Sequence, residues 1–261
     1  MTPNPSSQSA RRLFGYSFAT DTPEQLIALT TQPPSKGQMA RLIVTANLDH
    51  IVQLRENAAL RKAYDLAWRR TIDGAPVFLY SRLRGIGVPS RVTGADLAPS
   101  LLERLRPGVH RPFFVVASPT IATGLRQWAA ARGFAEDAVG IDVPPFGFEK
   151  DRAYGDALAA RIRNHGTTQL LFGVGCPKSE TWIIARRDQL GDCYAFAVGA
   201  ALGFLVGTQK RAPTIFRRLG MEWLWRVYQE PKRLARRYFV QSWGFVGAVA
   251  DDLRSAGSRR R

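Results

Sequence analysis

Apolar residues along this chain change their spacing several times, and each change marks an element. After a polar start to about residue 12, RLFGYSF (12–18) predicts a short strand. DTPEQLIALT (21–30) predicts a helix capped by Asp21 or Thr22, with Pro23 at an early helical position where its missing N–H costs nothing. After the loop QPPSKGQ (32–38) comes the dense β-former run ARLIVTAN (40–47). LDHIVQLRENAALRKAYDLA (48–67) places apolar residues at helical intervals, so residues 40–67 read as strand, loop and one helix. A helical segment then leads to Asp73, and PVFLYSRLRG (76–85) predicts another helix.

Two more strand-to-helix units follow. RPFFVVAS (111–118) runs into PTIATGLRQWAAARG (119–133), and TQLLFGVG (168–175) runs into a helix from about Ser179 to Gln189. A further apolar strand is expected over YAFAVGAALGF (194–204). Strands alternating with helices imply the α/β class: a mostly parallel sheet with helices on both faces and a Rossmann-like core. Ligands in such sheets bind beyond the carboxyl ends of the strands, which directs attention to TAN, ASPT, GVGCPKSE and GAALG.

At 261 residues and 45% apolar content, the chain can bury a core without disulfides or a metal. Cys176 and Cys193 lack CxxC spacing and the chain has only three histidines, so no zinc site is expected. No stretch reaches 18 continuous apolar residues, and MTPNPSSQSARRL has no apolar run after its basic pair. A cytoplasmic protein without a spanning helix is therefore expected.

The net charge of +16 suits polyanions: nucleic acid, nucleoside diphosphates or acidic lipid. It is concentrated late, with thirteen Lys or Arg against four Asp or Glu from residue 210 onward. There Trp223 and Trp225 lie among Arg217, Arg218, Arg226, Lys232, Arg233, Arg236 and Arg237, the composition of an interfacial amphipathic element. Intramolecular packing or a nucleic-acid-binding arm would use most of the same residues. The two tryptophans are two positions apart and cannot both centre one helical face. The expected organisation is a flexible 1–12, a catalytic core 13–209, a basic aromatic helical appendage 210–250 and a polar tail 251–261.

P-loop, GxGxxG, HExxH and GxSxG signatures are absent. Thr45 and Asn47 end the first clear strand, where they can bond a ligand or simply terminate the strand and cap a helix. Asp73, before Gly74, is either a turn or capping carboxylate or a general base. Arg91 and Thr93 precede Gly94, with Asp96 opening a helix; this suits a diphosphate, or a surface arginine beside an ordinary cap. Ser118 follows a strand, and GVGCPKSE offers Lys178 as a phosphate-reaching cation with Ser179 and Glu180 in the first helical turn. The PPFGFE turn (144–149) can line the same edge or simply make a loop.

TAN (45–47), IDG (72–74), RVTGADL (91–97), PPFG (144–147), GVGCPKSETWI (173–183) and above all LVGTQKRAPTIFRRLGMEWLWRVYQEPKRLARRY (205–238) together resemble the WecG/TagA/CpsF family of bacterial glycosyltransferases. The resemblance covers roughly residues 12–240. It implies an inverting, metal-independent transferase without a cofactor. A sugar moves from a nucleotide donor, usually UDP-linked, to a sugar on a polyprenyl diphosphate in surface or secreted polysaccharide synthesis. It further implies Asp73 as general base, Thr45 and Asn47 in the same pocket, Arg91 near the donor diphosphate, and a C-terminal appendage that brings the enzyme to the anionic inner face of the cell membrane. Nucleic acid is not an expected partner, and self-association is left open. Two departures stand out: Ser179 replaces the family's usual Gln, and Gly203 its usual Asp. They motivate the alternative of a catalytically silent scaffold. VASPT (116–120) also lacks the family's Gly-Gly turn.

Overall fold

Apolar runs without alternation, such as Leu42–Ala46 and Pro112–Val116, are what a strand needs when both of its faces are covered. The computed structural model describes residues 12–208, 212–213, 216, 222–229 and 231–258, with backbone alone at 223, 226, 229, 232–242 and 257–258. Six strands, β1 (Arg41–Ala46), β2 (Arg69–Ile72), β3 (Pro112–Val116), β4 (Gly140–Asp142), β5 (Gln169–Gly173) and β6 (Tyr194–Ala197), form one sheet in the order β2-β1-β6-β5-β3-β4. Every pairing is parallel.

One face of the sheet is covered by α2 (Leu48–Leu54), α3 (Ala58–Leu66), α4 (Ala75–Leu83), α7 (Arg152–Asn164) and α8 (Lys178–Ala185). They bury Ile51, Leu60, Tyr64, Val77, Leu158 and Ile183 against Leu42, Val44, Phe172 and Ala195. The other face is covered by α1 (Pro23–Thr30), α5 (Gly94–Arg104), α6 (Pro119–Ala131) and α9 (Ala201–Leu205), which pack Leu26, Leu101, Leu125 and Leu202 on Ile43, Phe114, Leu171 and Phe196. The expected α/β architecture with helices on both faces is therefore present.

Several local expectations are corrected. RLFGYSF is a tight turn: Leu13 and Tyr16 exchange backbone hydrogen bonds of 2.9 and 3.0 Å around Phe14 and Gly15, both at positive φ. The helix expected over 48–67 is two, because the Asn57 side chain accepts from the Leu60 N–H and starts α3 anew. The segment before Asp73 is the edge strand β2, which pairs with β1 from Ile43↔Arg69 to Ala46↔Ile72. The strand expected over 194–204 stops at Ala197; Gly199, at φ 53°, turns the chain into α9. At the N-terminus of α1 the cap is Thr22, which forms a reciprocal capping box with Gln25.

Beyond α9, the described chain contains α10 (Glu222–Gln229) and α11 (Pro231–Ser258). The division expected between residues 250 and 251 falls inside α11. Ala248 is buried in the core, Phe245 and Val249 pack against it, and Asp252 anchors the helix from below. One Asp252 oxygen accepts from the Phe14 N–H at 2.7 Å, and the other accepts from the Tyr80 hydroxyl at 2.8 Å and pairs with Arg84. Arg55 adds an ion pair to Asp251 at 3.1 Å.

Candidate active site

The carboxyl ends of six parallel strands converge on one edge of the sheet. The neighbours β3 and β5 send their chains in opposite directions, toward β4 and β6, the topology that opens a crevice in doubly wound sheets.

On the β1–β2 side the backbone brings the sequence candidates together. Asp73 follows β2 and donates its N–H to the Ala46 carbonyl at 2.8 Å, which sets it beside Asn47. Gly74 makes this approach close: a Cβ there would lie 3.3 Å from the Asn47 Cα. The Val92 N–H donates to the Ile72 carbonyl at 2.8 Å, drawing Arg91 to the end of the same strand. Gly94 in turn abuts the end of β6, where a Cβ would stand 3.1 Å from the Val198 carbonyl oxygen. Thr45 is buried near the end of β1, and alternation puts it on the face of Ile43. Asp73, Arg91 and Asn47 are each half-buried.

Some candidates also have capping roles. The Asn47 side chain accepts from the His50 N–H at 3.1 Å and caps α2. Thr93 caps α5: its hydroxyl accepts from the Asp96 N–H at 3.0 Å and donates to the Asp96 carboxylate at 2.7 Å. Ser118 caps α6, accepting from Ile121 at 3.4 Å.

The β4–β5 side is built from long side chains. Lys178, at the start of α8, pairs with Glu149 at 3.3 Å and lies 4.9 Å from the ring of Phe146, which is fully exposed. Burial works to raise the Glu149 carboxyl, but a backbone hydrogen bond and Lys178 outweigh it and hold the group below its ordinary range. Ser179 is fully buried and its hydroxyl donates to the Gly175 carbonyl at 3.1 Å, so it faces inward and away from solvent. The Glu180 carboxylate is also buried, 3.6 Å from His50 Nε2. His50 Nδ1 lies 2.7 Å from the Tyr64 hydroxyl, whose pKa is raised well above its usual value by burial and then by Cys176 and Glu180. Sequence reasoning missed His50, and singled out Phe146 and Glu149 only as members of the PPFGFE turn. For Phe146 the signal was an aromatic residue in a Pro-Gly turn beyond a strand; for His50 there was none, because Cys176 and Glu180 beside it are more than 100 residues distant.

Of the basic aromatic residues, Arg217 and Arg218 lie outside the described residues, as do the side chains of Trp223, Arg226, Lys232, Arg233, Arg236 and Arg237. Trp225 is half-buried, with its ring 5.8 Å from those of both Phe216 and Tyr228. Among the described residues no helix is long and apolar enough to cross a membrane.

Known proteins match most of this chain in sequence. An N-acetylglucosaminyldiphosphoundecaprenol N-acetyl-beta-D-mannosaminyltransferase of Bacillus spizizenii is 30% identical over 219 residues, covering 82% of this chain and 80% of its own. A protein of the same name from Staphylococcus aureus is 25% identical over 229 residues, covering 86% of each chain. The model of the glycosyl transferase WecG/TagA/CpsF family matches residues 11–259, and the chain belongs to this family of glycosyltransferases.

Proposed function

We propose that the protein is an inverting, metal-independent transferase that moves a sugar from a UDP-linked nucleotide donor to a sugar on a polyprenyl diphosphate.

 The observation that carries this reading is the juxtaposition of Asn47, Asp73 and Arg91 through the backbone bonds of Asp73 to Ala46 and of Val92 to Ile72. Inversion needs a single displacement. The acceptor oxygen bonds to the anomeric carbon as the bond from that carbon to the diphosphate oxygen breaks, and the hydroxyl proton passes to the Asp73 carboxylate. The departing diphosphate takes up negative charge, which Arg91 meets as a two-pronged donor. Lys178 becomes a second cation once it leaves Glu149, and the exposed ring of Phe146 offers a stacking surface for a base or sugar. Thr45 and Asn47 shape the acceptor side.

The relatives' names support a lipid diphosphate-linked acceptor, and the basic stretch from residue 210 supports attachment to the anionic inner face of the cell membrane. Charge substitutions test that attachment better than truncation does, because removing residues 210–261 also removes Ala248 and Asp252 from the core. Replacing Arg233, Arg236 and Arg237 by Gln is expected to reduce co-sedimentation with anionic liposomes; unchanged binding refutes the assignment.

The deciding experiment measures UDP release from a panel of UDP-hexoses and UDP-N-acetylhexosamines with a detergent-solubilised polyprenyl-diphosphate-sugar, for the wild type and Asp73→Asn. Acceptor-dependent release that falls about 10²–10⁴-fold in Asp73→Asn supports the base assignment. Equal turnover in the variant refutes it. A folded wild type silent on every donor favours the scaffold reading, for which the inward-facing Ser179 is the specific observation.

A further inference from the structure

Beneath the crevice, three side chains with metal-ligating atoms meet from elements far apart in sequence. His50 lies in the first turn of α2, Cys176 in the loop after β5, and Glu180 in the first turn of α8. A His50 ring nitrogen, Cys176 Sγ and a Glu180 oxygen all lie within 4.8 Å of one another, with 3.6 Å between His50 Nε2 and Glu180. His50 and Glu180 are 4% and 2% exposed. Glu180 Oε2 is buried without a hydrogen-bond partner, an arrangement that costs free energy unless something meets that oxygen. His50 Nδ1 is engaged by the Tyr64 hydroxyl at 2.7 Å, which fixes the ring and turns Nε2 toward the other two residues. Metal-binding histidines are held in this way by a partner on the second ring nitrogen.

We propose that His50, Cys176 and Glu180 bind one Zn²⁺ ion that staples the start of α2 to the start of α8. A thiolate, an imidazole and a carboxylate form a zinc donor set, whereas magnesium, manganese and calcium favour all-oxygen sites. Tetrahedral zinc with ordinary bond lengths separates its ligand atoms by about 3.5 Å, so His50 and Glu180 already stand at the required spacing. Cys176, half-buried on a loop, reaches it by a shift of about 1 Å, and solvent supplies the fourth ligand. On binding, the Cys176 thiol loses its proton to solvent and its sulfur forms the bond to the metal. The ion is structural: it joins the helix capped by Asn47 to the helix that carries Lys178 and takes no part in sugar transfer. The assignment therefore stands apart from the proposed reaction.

Full-length protein stripped with a chelator and titrated with Co²⁺ and then Zn²⁺ tests it. Wild type is expected to bind about one ion per chain, to show a near-ultraviolet thiolate-to-cobalt band that zinc abolishes, and to melt at a higher temperature with zinc. Cys193→Ser, whose sulfur is buried in the core, keeps all three responses, while Cys176→Ser loses the band and the thermal shift. Glu180→Gln, which preserves side-chain size, weakens binding in a chain whose fold is checked by circular dichroism. Wild type that retains no zinc after gel filtration, or Cys176→Ser that behaves as wild type, overturns the proposal.

Discussion

The two sides of the crevice are built by different means. On the β1–β2 side, backbone hydrogen bonds and close approaches place Asn47, Asp73 and Arg91, and α4 is braced at both ends: Gly74 lies against Asn47, while Tyr80 and Arg84 meet Asp252. On the β4–β5 side, the polar group is at the end of a lysine side chain, held by one ion pair with Glu149 next to an exposed ring. Backbone placement resists displacement and suits a group that must meet a reacting atom within a fraction of an ångström. A paired lysine can exchange its carboxylate for a phosphate, which suits a group that recognises a ligand on arrival.

Substitutions that attack each side separate these roles. The largest effect is expected from Asp252→Asn, which leaves Arg84 without its carboxylate and loosens α11 from α4. Urea unfolding is expected to show a loss of about 3 kcal/mol, the lower end for breaking a mostly buried pair, and an unchanged midpoint would refute the brace. Next comes Gly74→Ala. The residue sits at φ −75°, so alanine meets no backbone strain and the substitution tests the 3.3 Å approach alone. A displacement of a few tenths of an ångström is expected to lower kcat about tenfold with KM little changed.

The other side is expected to respond through KM. Phe146→Ala and Lys178→Ala should raise the donor KM several-fold while leaving stability within about 0.5 kcal/mol, because neither side chain is buried in the core. A fall in kcat with constant KM would instead assign this side to the chemical step. The smallest effect is expected from Glu149→Gln. A carboxyl held below its ordinary value near 4.5 contributes stability that is present above that pH and is lost as pH falls through the depressed folded value. The variant is therefore expected to match wild type below that window and to be slightly less stable above it, as read by urea midpoints across pH 3–6.

Much of the fold was legible because local patterns report burial and capping directly. The dense apolar runs in β1, β3 and β5 marked strands, and Pro23 marked a helix start. Where the reading failed, the deciding interaction was distant or the local pattern ambiguous. RRTI in β2 is strand because it pairs with β1, although two arginines after a helix look like that helix continuing. YAFAVGAALGF is apolar throughout, and hydropathy alone does not separate its strand from the helix that follows.

The sequence by itself determined the α/β class, the concentration of basic and aromatic residues after residue 210, and the likeness that marks the family. These rest on neighbours in the chain, whose spacing selects the period of the backbone and the face that leaves water. Only the tertiary structure decided that Asn47, Asp73 and Arg91 adjoin, that Ser179 faces inward, that α11 belongs to the core through Asp252, and that His50, Cys176 and Glu180 meet. Most of these proximities depend on strand order and helix packing, which bring residues from about twenty to more than two hundred positions apart together, and no local period encodes them.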